Sequence, residues 1–294
     1  MLVSTPSAEV SVDERLLRLL LEDQHPDLAA LSIELLDAGW DNYMFRLGDA
    51  LAVRLPRRSA AAQLLINEQD WLPLIASALP LPAPTPLRRG IPGRGYPWRW
   101  SVLPWLPGEP ANLAPPAPDE APKLAAFLRA LHTEAPENAP VNKVRGVPLG
   151  ERASAVEGRL ARLRQATASI TPQVELAWRR GLAAPGVDRA LWLHGDLHAR
   201  NVLVQDGALS GVIDWGDITS GDPATDVACI WMLFEDQAAR ERALRCYGAN
   251  DALRTRAMGW ATLFGVVLLD TGLADHPAHA TMGEVTLARV AADV

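Results

Sequence analysis

Cysteine is scarce in this chain. Only Cys229 and Cys246 occur, without metal-type spacing, which excludes a disulfide framework and a structural zinc centre and fits a reducing, cytoplasmic compartment. Basic charge is also short: 28 Lys and Arg stand against 35 Asp and Glu, a formal net charge of −7. The chain therefore lacks the excess of cations that a nucleic-acid backbone requires. Long apolar runs are missing too. The longest, residues 259–269, falls well short of the roughly 20 residues that span a bilayer, and no basic segment leads into an apolar run at the start. No repeat or low-complexity tract is present. What is there is a chain of 294 residues, 49% hydrophobic and 21% charged, the texture of a globular protein long enough for two packed lobes.

Ser11 followed by Glu14 has the form of a capping box ahead of Leu16, Leu17, Leu19, Leu20 and Leu21, which predicts an N-terminal amphipathic helix. Period-two alternation follows in Ile33 and Leu35, then Tyr43, Phe45 and Leu47, then Leu51, Val53 and Leu55. It predicts three antiparallel strands joined through residues 37–42 and a Gly48, Asp49 turn. Ser59 caps a predicted helix that runs to about Ala78. Prolines in residues 79–86 end it, and residues 96–106 return the chain to a sheet edge. The Pro-rich stretch 110–118 reads as a junction. We therefore divide the chain into an N-terminal nucleotide-binding lobe (residues 1–100), a hinge (101–108) and a mainly helical catalytic and substrate lobe (109–294).

In the second lobe Leu124, Phe127, Leu128 and Leu131 share one helical face, and further helices are expected near residues 152–166 and 174–182. A short strand, 190–193, precedes two more, 201–205 and 208–213. These flank the Asp206, Gly207 pair, the signal of a two-residue hairpin. Beyond Asp222 the pattern is helical, with starts at Asp222, Pro223 and at Thr281, Glu284.

The chemistry concentrates in His194, Gly195, Asp196, Leu197, His198, Ala199, Arg200, Asn201 and in Asp214. Asp196 falls in the loop before the hairpin, Asn201 enters its first strand and Asp214 leaves its second. A turn at Gly207 thus folds three oxygen-bearing side chains together, as a phosphoryl-transfer site requires. Asn201 and Asp214 offer hard oxygens to Mg²⁺, which takes waters and substrate phosphates for its other positions. Asp196, free of the metal, can accept the proton of an attacking hydroxyl, and His198 can donate to the transferred phosphate. Any one loop Asp or His is ordinarily a turn former or a structural group; the combination at fixed offsets carries the catalytic reading.

This stretch resembles the catalytic loop and metal segment of the aminoglycoside phosphotransferase family, which shares its fold with choline kinases and protein kinases. The resemblance implies an α+β, bilobal, protein-kinase-like fold, with a small antiparallel-sheet N-terminal lobe and a larger, mainly helical C-terminal lobe. It also implies a kinase with ATP or GTP as donor, Mg²⁺ as cofactor and an alcohol group as acceptor. Asp214, Trp215, Gly216 stand where kinases have Asp-Phe-Gly. Asp222, Pro223, Ala224, Thr225, Asp226 resemble the helix start whose later acid, here Asp226, braces the catalytic loop, with His194 as a second support. Arg54 stands where kinases place the strand lysine that holds the phosphates, a planar fork in place of an ammonium, and Glu68 is its natural partner. The phosphate-covering loop, residues 37–42, has a single glycine, Gly39. Residues 101–106, with Leu103 and Trp105, resemble the hinge whose backbone pairs with the purine edge.

The acceptor stays open at this level. Asp217, Asp222, Glu235 and Asp236 suit a cationic acceptor such as an aminoglycoside, and suit turns and caps equally well. Trp215, Trp231 and Trp260 suit the floor of a pocket for a sugar ring or a hydrophobic body. Asp217, Trp231 and Glu235 are the substrate candidates, and a choline-like amine, a sugar or a macrolide are the alternative acceptors. A nucleotide-binding pseudokinase or regulator is the competing class, motivated by Arg54 and the glycine-poor loop and opposed by intact Asp196, Asn201 and Asp214. Neither nucleic acid nor membrane is an expected partner, and the chain is expected to be a monomer or a homodimer.

Overall fold

The N-terminal leucine run forms helix α1 (Glu14–Gln24). Its cap is Asp13, not Ser11: the Asp13 carboxylate accepts from the Leu16 N–H at 2.8 Å, and an acid there also complements the helix dipole. The computed structural model describes residues 7–187 and 189–294; residues 1–6, assigned above to the first lobe, lie outside the described residues. Strands β1 (Ile33–Ala38), β2 (Asn42–Leu47) and β3 (Leu51–Pro56) form the expected antiparallel meander.

Helix α2 (Ser59–Ile75) follows, and a single 3-10 turn covers residues 76–78. Arg58, in extended backbone, takes the cap position without a side-chain bond, while the Ser59 hydroxyl binds Glu9 at 3.0 Å instead. Two further strands, β4 (Arg88–Gly90) and β5 (Trp100–Pro104), complete a five-stranded sheet of order β1-β2-β3-β5-β4. The stretch expected at a sheet edge is therefore an inner strand. The true edge is β4, too short to show alternation. Gly90 lets β4 lie flat under Trp100, because a Cβ there would fall 1.9 Å from the Trp100 ring.

The chain then crosses to the second lobe, where β6 (Glu109–Pro110) pairs with Leu203 and Val204 of a later hairpin. Helices α3 (Ala121–Leu131), α4 (Leu149–Ala166) and α5 (Pro172–Ala183) precede β7 (Leu191–Leu193), the hairpin β8 (Val202–Gln205) and β9 (Ala208–Val212), and β10 (Thr219–Gly221), which pairs with β7. Short helices α6 (Ala224–Val227) and α7 (Cys229–Leu233) lead to α8 (Gln237–Tyr247), α9 (Asp251–Asp275) and α10 (Pro277–Ala292). The last helix starts at Pro277, not Thr281, since proline at the first position needs no N–H partner.

Two apolar clusters match the two lobes. One joins α1 to the sheet through Leu17, Leu20, Leu21, Phe45, Val53, Leu55, Trp100 and Val102; the larger fills the C-terminal lobe. Helix α2 joins the sheet to the larger cluster: its Gln69 donates to the Trp100 carbonyl at 2.9 Å, and its Leu72 belongs to the larger cluster. Helix α9 is long and apolar enough by composition to cross a membrane, but 83% of its apolar window is buried inside the protein. It is apolar on all sides because α4, α5 and α10 enclose it.

Helix α10 lies against α9 through facing glycines. A Cβ on Gly272 would sit 2.0 Å from the Ala280 N, and one on Gly283 2.5 Å from the Leu269 N. Gly272→Ala must push the helices apart, and overpacking of this kind costs about 1–3 kcal/mol. Urea denaturation measures the loss; a change within about 0.5 kcal/mol, the range of neutral surface substitutions, would show that the helices part freely.

Candidate active site

The β8–β9 hairpin sets the site. Asp206 and Gly207 both have positive φ, 53° and 80°, the backbone of the two-residue turn that suits strand twist. Val202 pairs with Val212, and the Ile213 N–H donates to the Asn201 carbonyl at 2.9 Å. Asn201 and Asp214 therefore leave the ladder together. Asp214 is in the left-handed region, φ 62° and ψ 66°, unusual for a residue other than glycine, and the single 3-10 turn at residues 215–217 follows it.

The loop before β8 is fastened at several points. Asp226 is fully buried and accepts from the His194 N–H at 2.7 Å and the Gly195 N–H at 2.9 Å. His132 lies 3.4 Å behind it, with the Tyr247 hydroxyl 2.8 Å from the other ring nitrogen. The His194 ring links loop to hairpin: its Nδ1 accepts from the Asp196 N–H at 3.2 Å, and its Nε2 donates to the Ile213 carbonyl at 3.0 Å. Burial lowers the pKa of His194, outweighing nearby Asp226, so a neutral ring with the proton on Nε2 fits both bonds. Gly195 has φ 86°, and a Cβ there would strike the Asp217 carbonyl at 2.4 Å. Asn201, nearly buried, donates its amide to the Asp196 carbonyl at 2.9 Å.

The Asp196 carboxylate is held from both sides. Arg145 Nη2 is 2.6 Å from Oδ1 and His198 Nε2 is 3.4 Å from Oδ2. Burial works against its ionisation, but the Arg145 guanidinium and then His198 outweigh it and hold Asp196 well below the usual carboxylate range. Asp217 goes the other way: burial, then the Asp196 charge, pushes it up to about 6. It accepts from the Asn142 amide at 2.6 Å.

From the first lobe, buried Arg54 binds Glu68 and lies 3.2 Å from Asp214 Oδ1. Burial pushes Glu68 up to about 6 in spite of Arg54, whereas at Arg54 the charges of Glu68 and Asp214 outweigh burial. The pair is charged at neutral pH, because a guanidinium does not lose its proton in proteins and 6 lies below 7. No lysine occurs before Lys123, so Arg54 has no competitor for this place.

The structure thus brings Asp196, His198, Asn201, Asp214, Asp217, Arg54 and Glu68 into one neighbourhood. Gly39, in the β1–β2 loop, receives the Arg57 guanidinium on its carbonyl at 2.6 Å, and neighbouring Trp40 reaches the His276 ring with centroids 6.2 Å apart. Leu103 is buried near the end of β5. Trp105 is part-exposed under the Arg46 guanidinium, 3.8 Å from its ring centroid, and its backbone N–H donates to the Ala50 carbonyl.

The substrate candidates separate. Trp231 is fully buried and donates to Asp293 at 2.9 Å, and Trp215 and Trp260 are also fully buried; none floors a pocket. Glu235 is exposed, and its carbonyl accepts from Arg240 at 2.7 Å. Asp236 caps α8 and Asp222 pairs with Arg256 at 2.7 Å. Of these acids Asp217 is the one that feels the Asp196 charge. Arg145 and Asn142 escaped the sequence reading, since they lie in a stretch without periodicity and meet the site only through folding; Gly146 with φ 69° was the one local signal.

Asn201, through its amide oxygen, and Asp214, through its carboxylate, are the residues that would hold a divalent cation. Asn201 uses only its nitrogen within the protein, which leaves the oxygen available. Two hard oxygens fit Mg²⁺ that brings phosphates and water with it.

The phosphotransferase enzyme family, APH, matches residues 32–260. No curated protein matches the sequence. Among solved structures the chain is similar to a GDP complex of aminoglycoside 2'-phosphotransferase-IIIa, with TM-score 0.72, 20% identity and coverage of 96% of this chain and 99% of that one. It is similar to macrolide 2'-phosphotransferase MphH from Brachybacterium faecium, with TM-score 0.60, 22% identity and 94% and 98% coverage. It is also similar to a streptomycin–ATP–APH(2")-IIa ternary complex, with TM-score 0.59, 17% identity and 88% and 91% coverage. The bilobal kinase-like fold is common to all of them.

Asp217 supplies a test of the electrostatics. Its folded pKa of about 6 exceeds the roughly 4 of an unfolded chain, so the folded state binds this proton more tightly and Asp217 costs stability as pH rises from about 4 to about 6. Asp217→Asn keeps the oxygen that accepts from Asn142 and removes the charge. The variant should melt above the parent near pH 7, with the gap closing below about pH 4; thermal melts with an equal gap at both ends would contradict the shift.

Proposed function

The chain belongs to the phosphotransferase enzyme family, and from that premise we propose that it is a small-molecule kinase moving the γ-phosphoryl group of ATP or GTP to a hydroxyl. The observation that carries this reading is the hairpin bond from Ile213 to Asn201, which brings Asn201 and Asp214 together beside Asp196. The relatives' printed names bring an aminoglycoside or a macrolide to the acceptor panel. Free Cys229 and Cys246 fit a reducing, cytoplasmic setting.

Mg²⁺ held by Asn201 and Asp214 would neutralise charge on the β- and γ-phosphates. Arg54, fixed by Glu68, directs a permanent cation to the same end of the cleft. Asp196 receives the acceptor hydroxyl. As the acceptor oxygen bonds to the γ-phosphorus, the bond to the bridging oxygen breaks, the nucleoside diphosphate leaves and the acceptor proton passes to Asp196. A carboxylate held so far down by Arg145 is a weak base, so it orients the hydroxyl first and takes the proton late, in keeping with a loose transition state. His198 Nε2 faces the same carboxylate and can steady the transferred group.

Asp196→Asn keeps the shape of the loop and removes the proton acceptor. Turnover with any working acceptor should fall at least about a hundredfold while nucleotide affinity stays near the parent's; a rate close to normal would remove Asp196 from this role. Asp214→Ala should weaken nucleotide binding in the presence of Mg²⁺ and not in EDTA, which calorimetric titration under both conditions reads; equal affinities would take Asp214 out of the metal site.

A further inference from the structure

One arginine touches Asp196, and a second lies near enough to the first to feel its charge. Arg145 spends one N–H on Asp196, its guanidinium lies 4.8 Å from the Phe264 ring centroid, and its Nε is buried without a protein acceptor. Arg152, in the first turn of α4, has no carboxylate partner among the described residues, and its Nε is likewise buried without an acceptor. Burial, then Arg145 and Arg159, disfavours the Arg152 charge. Helix position adds to the cost, because a cation in a first turn opposes the helix dipole. Glu151 in the same turn is exposed and forms none of the ion pairs described here. Further along α4, Arg159 and Arg162 share a single acid, Asp270 of α9, at 3.2 and 2.8 Å.

A cation placed against the dipole, beside two others and without an acid, is unfavourable unless an anion joins it. An arginine fork suits a carboxylate or a phosphate ester by two parallel N–H bonds. A polyamine would bring like charge to Arg145 and Arg152; of the acids near Arg145, Asp196 is already paired with it and Asp217 accepts from Asn142. Resting on the kinase reading above, we propose that the acceptor carries an anionic group, a carboxylate or phosphate ester, near the hydroxyl that is phosphorylated, and that Arg145 and Arg152 bind that group.

The test uses matched acceptors on one carbon skeleton: glycerol, its amino twin serinol, glycerate and glycerophosphate, then glucose, glucosamine and glucuronate, with kanamycin as the polyamine. ADP release with Mg·ATP gives KM and kcat; thermal shift in Mg·ADP ranks the same compounds where turnover is absent. The anionic member of each series should win by about tenfold in KM, or by the larger thermal shift, over its neutral twin. Glycerate against glycerophosphate separates the carboxylate from the phosphate ester. Arg152→Gln should raise KM for the anionic acceptor by about tenfold, more than it lowers kcat, with partial return in Arg152→Lys. Neutral or amino members that do as well as the anionic one, or an Arg152→Gln variant with no effect on the anionic one, would overturn the proposal and leave the kinase reading intact. If Mg·ATP neither binds nor is consumed, the kinase reading itself fails, and the anion preference is then decided by the thermal ranking alone.

Discussion

One buried carboxylate holds the catalytic loop. Asp226 takes the N–H groups of His194 and Gly195, and without it two buried donors would be left unpaired, at about 1–3 kcal/mol each. The arrangement works because Asp226 sits at the start of α6, so its position is set by a helix packed into the core. The loop it grips is short and irregular. His194 then carries the constraint onward, from the Asp196 amide to the Ile213 carbonyl. Asp196 and Asp214 are thereby held in one frame by backbone hydrogen bonds, while their carboxylates pair with Arg145 and Arg54.

The parts of this frame that were legible beforehand are local. Alternation in residues 33–55 showed the meander, and Asp206, Gly207 showed the hairpin, because both signals act between residues close in sequence. Boundaries set by competition between neighbours were less legible: Asp13 displaces Ser11 as a cap, and Pro277 starts a helix four residues before Thr281. Strand β4 was invisible because three residues carry no period. Arg145 was beyond reach in principle, since its contact with Asp196 spans 51 positions and comes from a segment with no regular structure.

Arg54 shows how a departure from the usual residue is absorbed. An ammonium would leave Glu68 with a point charge, whereas the guanidinium fork reaches Glu68 with one nitrogen and Asp214 with another. Strand, helix and metal segment are thus joined by one side chain. The burial that raises Glu68 to about 6 makes the pair sensitive to acid. As pH falls through that value Glu68 is neutralised, and Arg54 is left with Asp214 as its main counter-charge. Bound phosphate would then meet a stronger local cation but a less firmly fixed one.

Charge near a site and charge facing a site are different quantities. Four acids close to the catalytic segment in sequence, Asp217, Asp222, Glu235 and Asp236, suggested an acidic pocket, yet folding assigns Asp222 to Arg256, Asp236 to a helix cap and Glu235 to the exterior. Arg145, unremarked in the linear chain, arrives at Asp196 instead. The net charge of −7 therefore says nothing of the sign inside the cleft. Interaction between unit charges grows as they approach and as water is excluded, so one arginine 2.6 Å from Asp196 weighs more there than a surplus of acids spread over the surface.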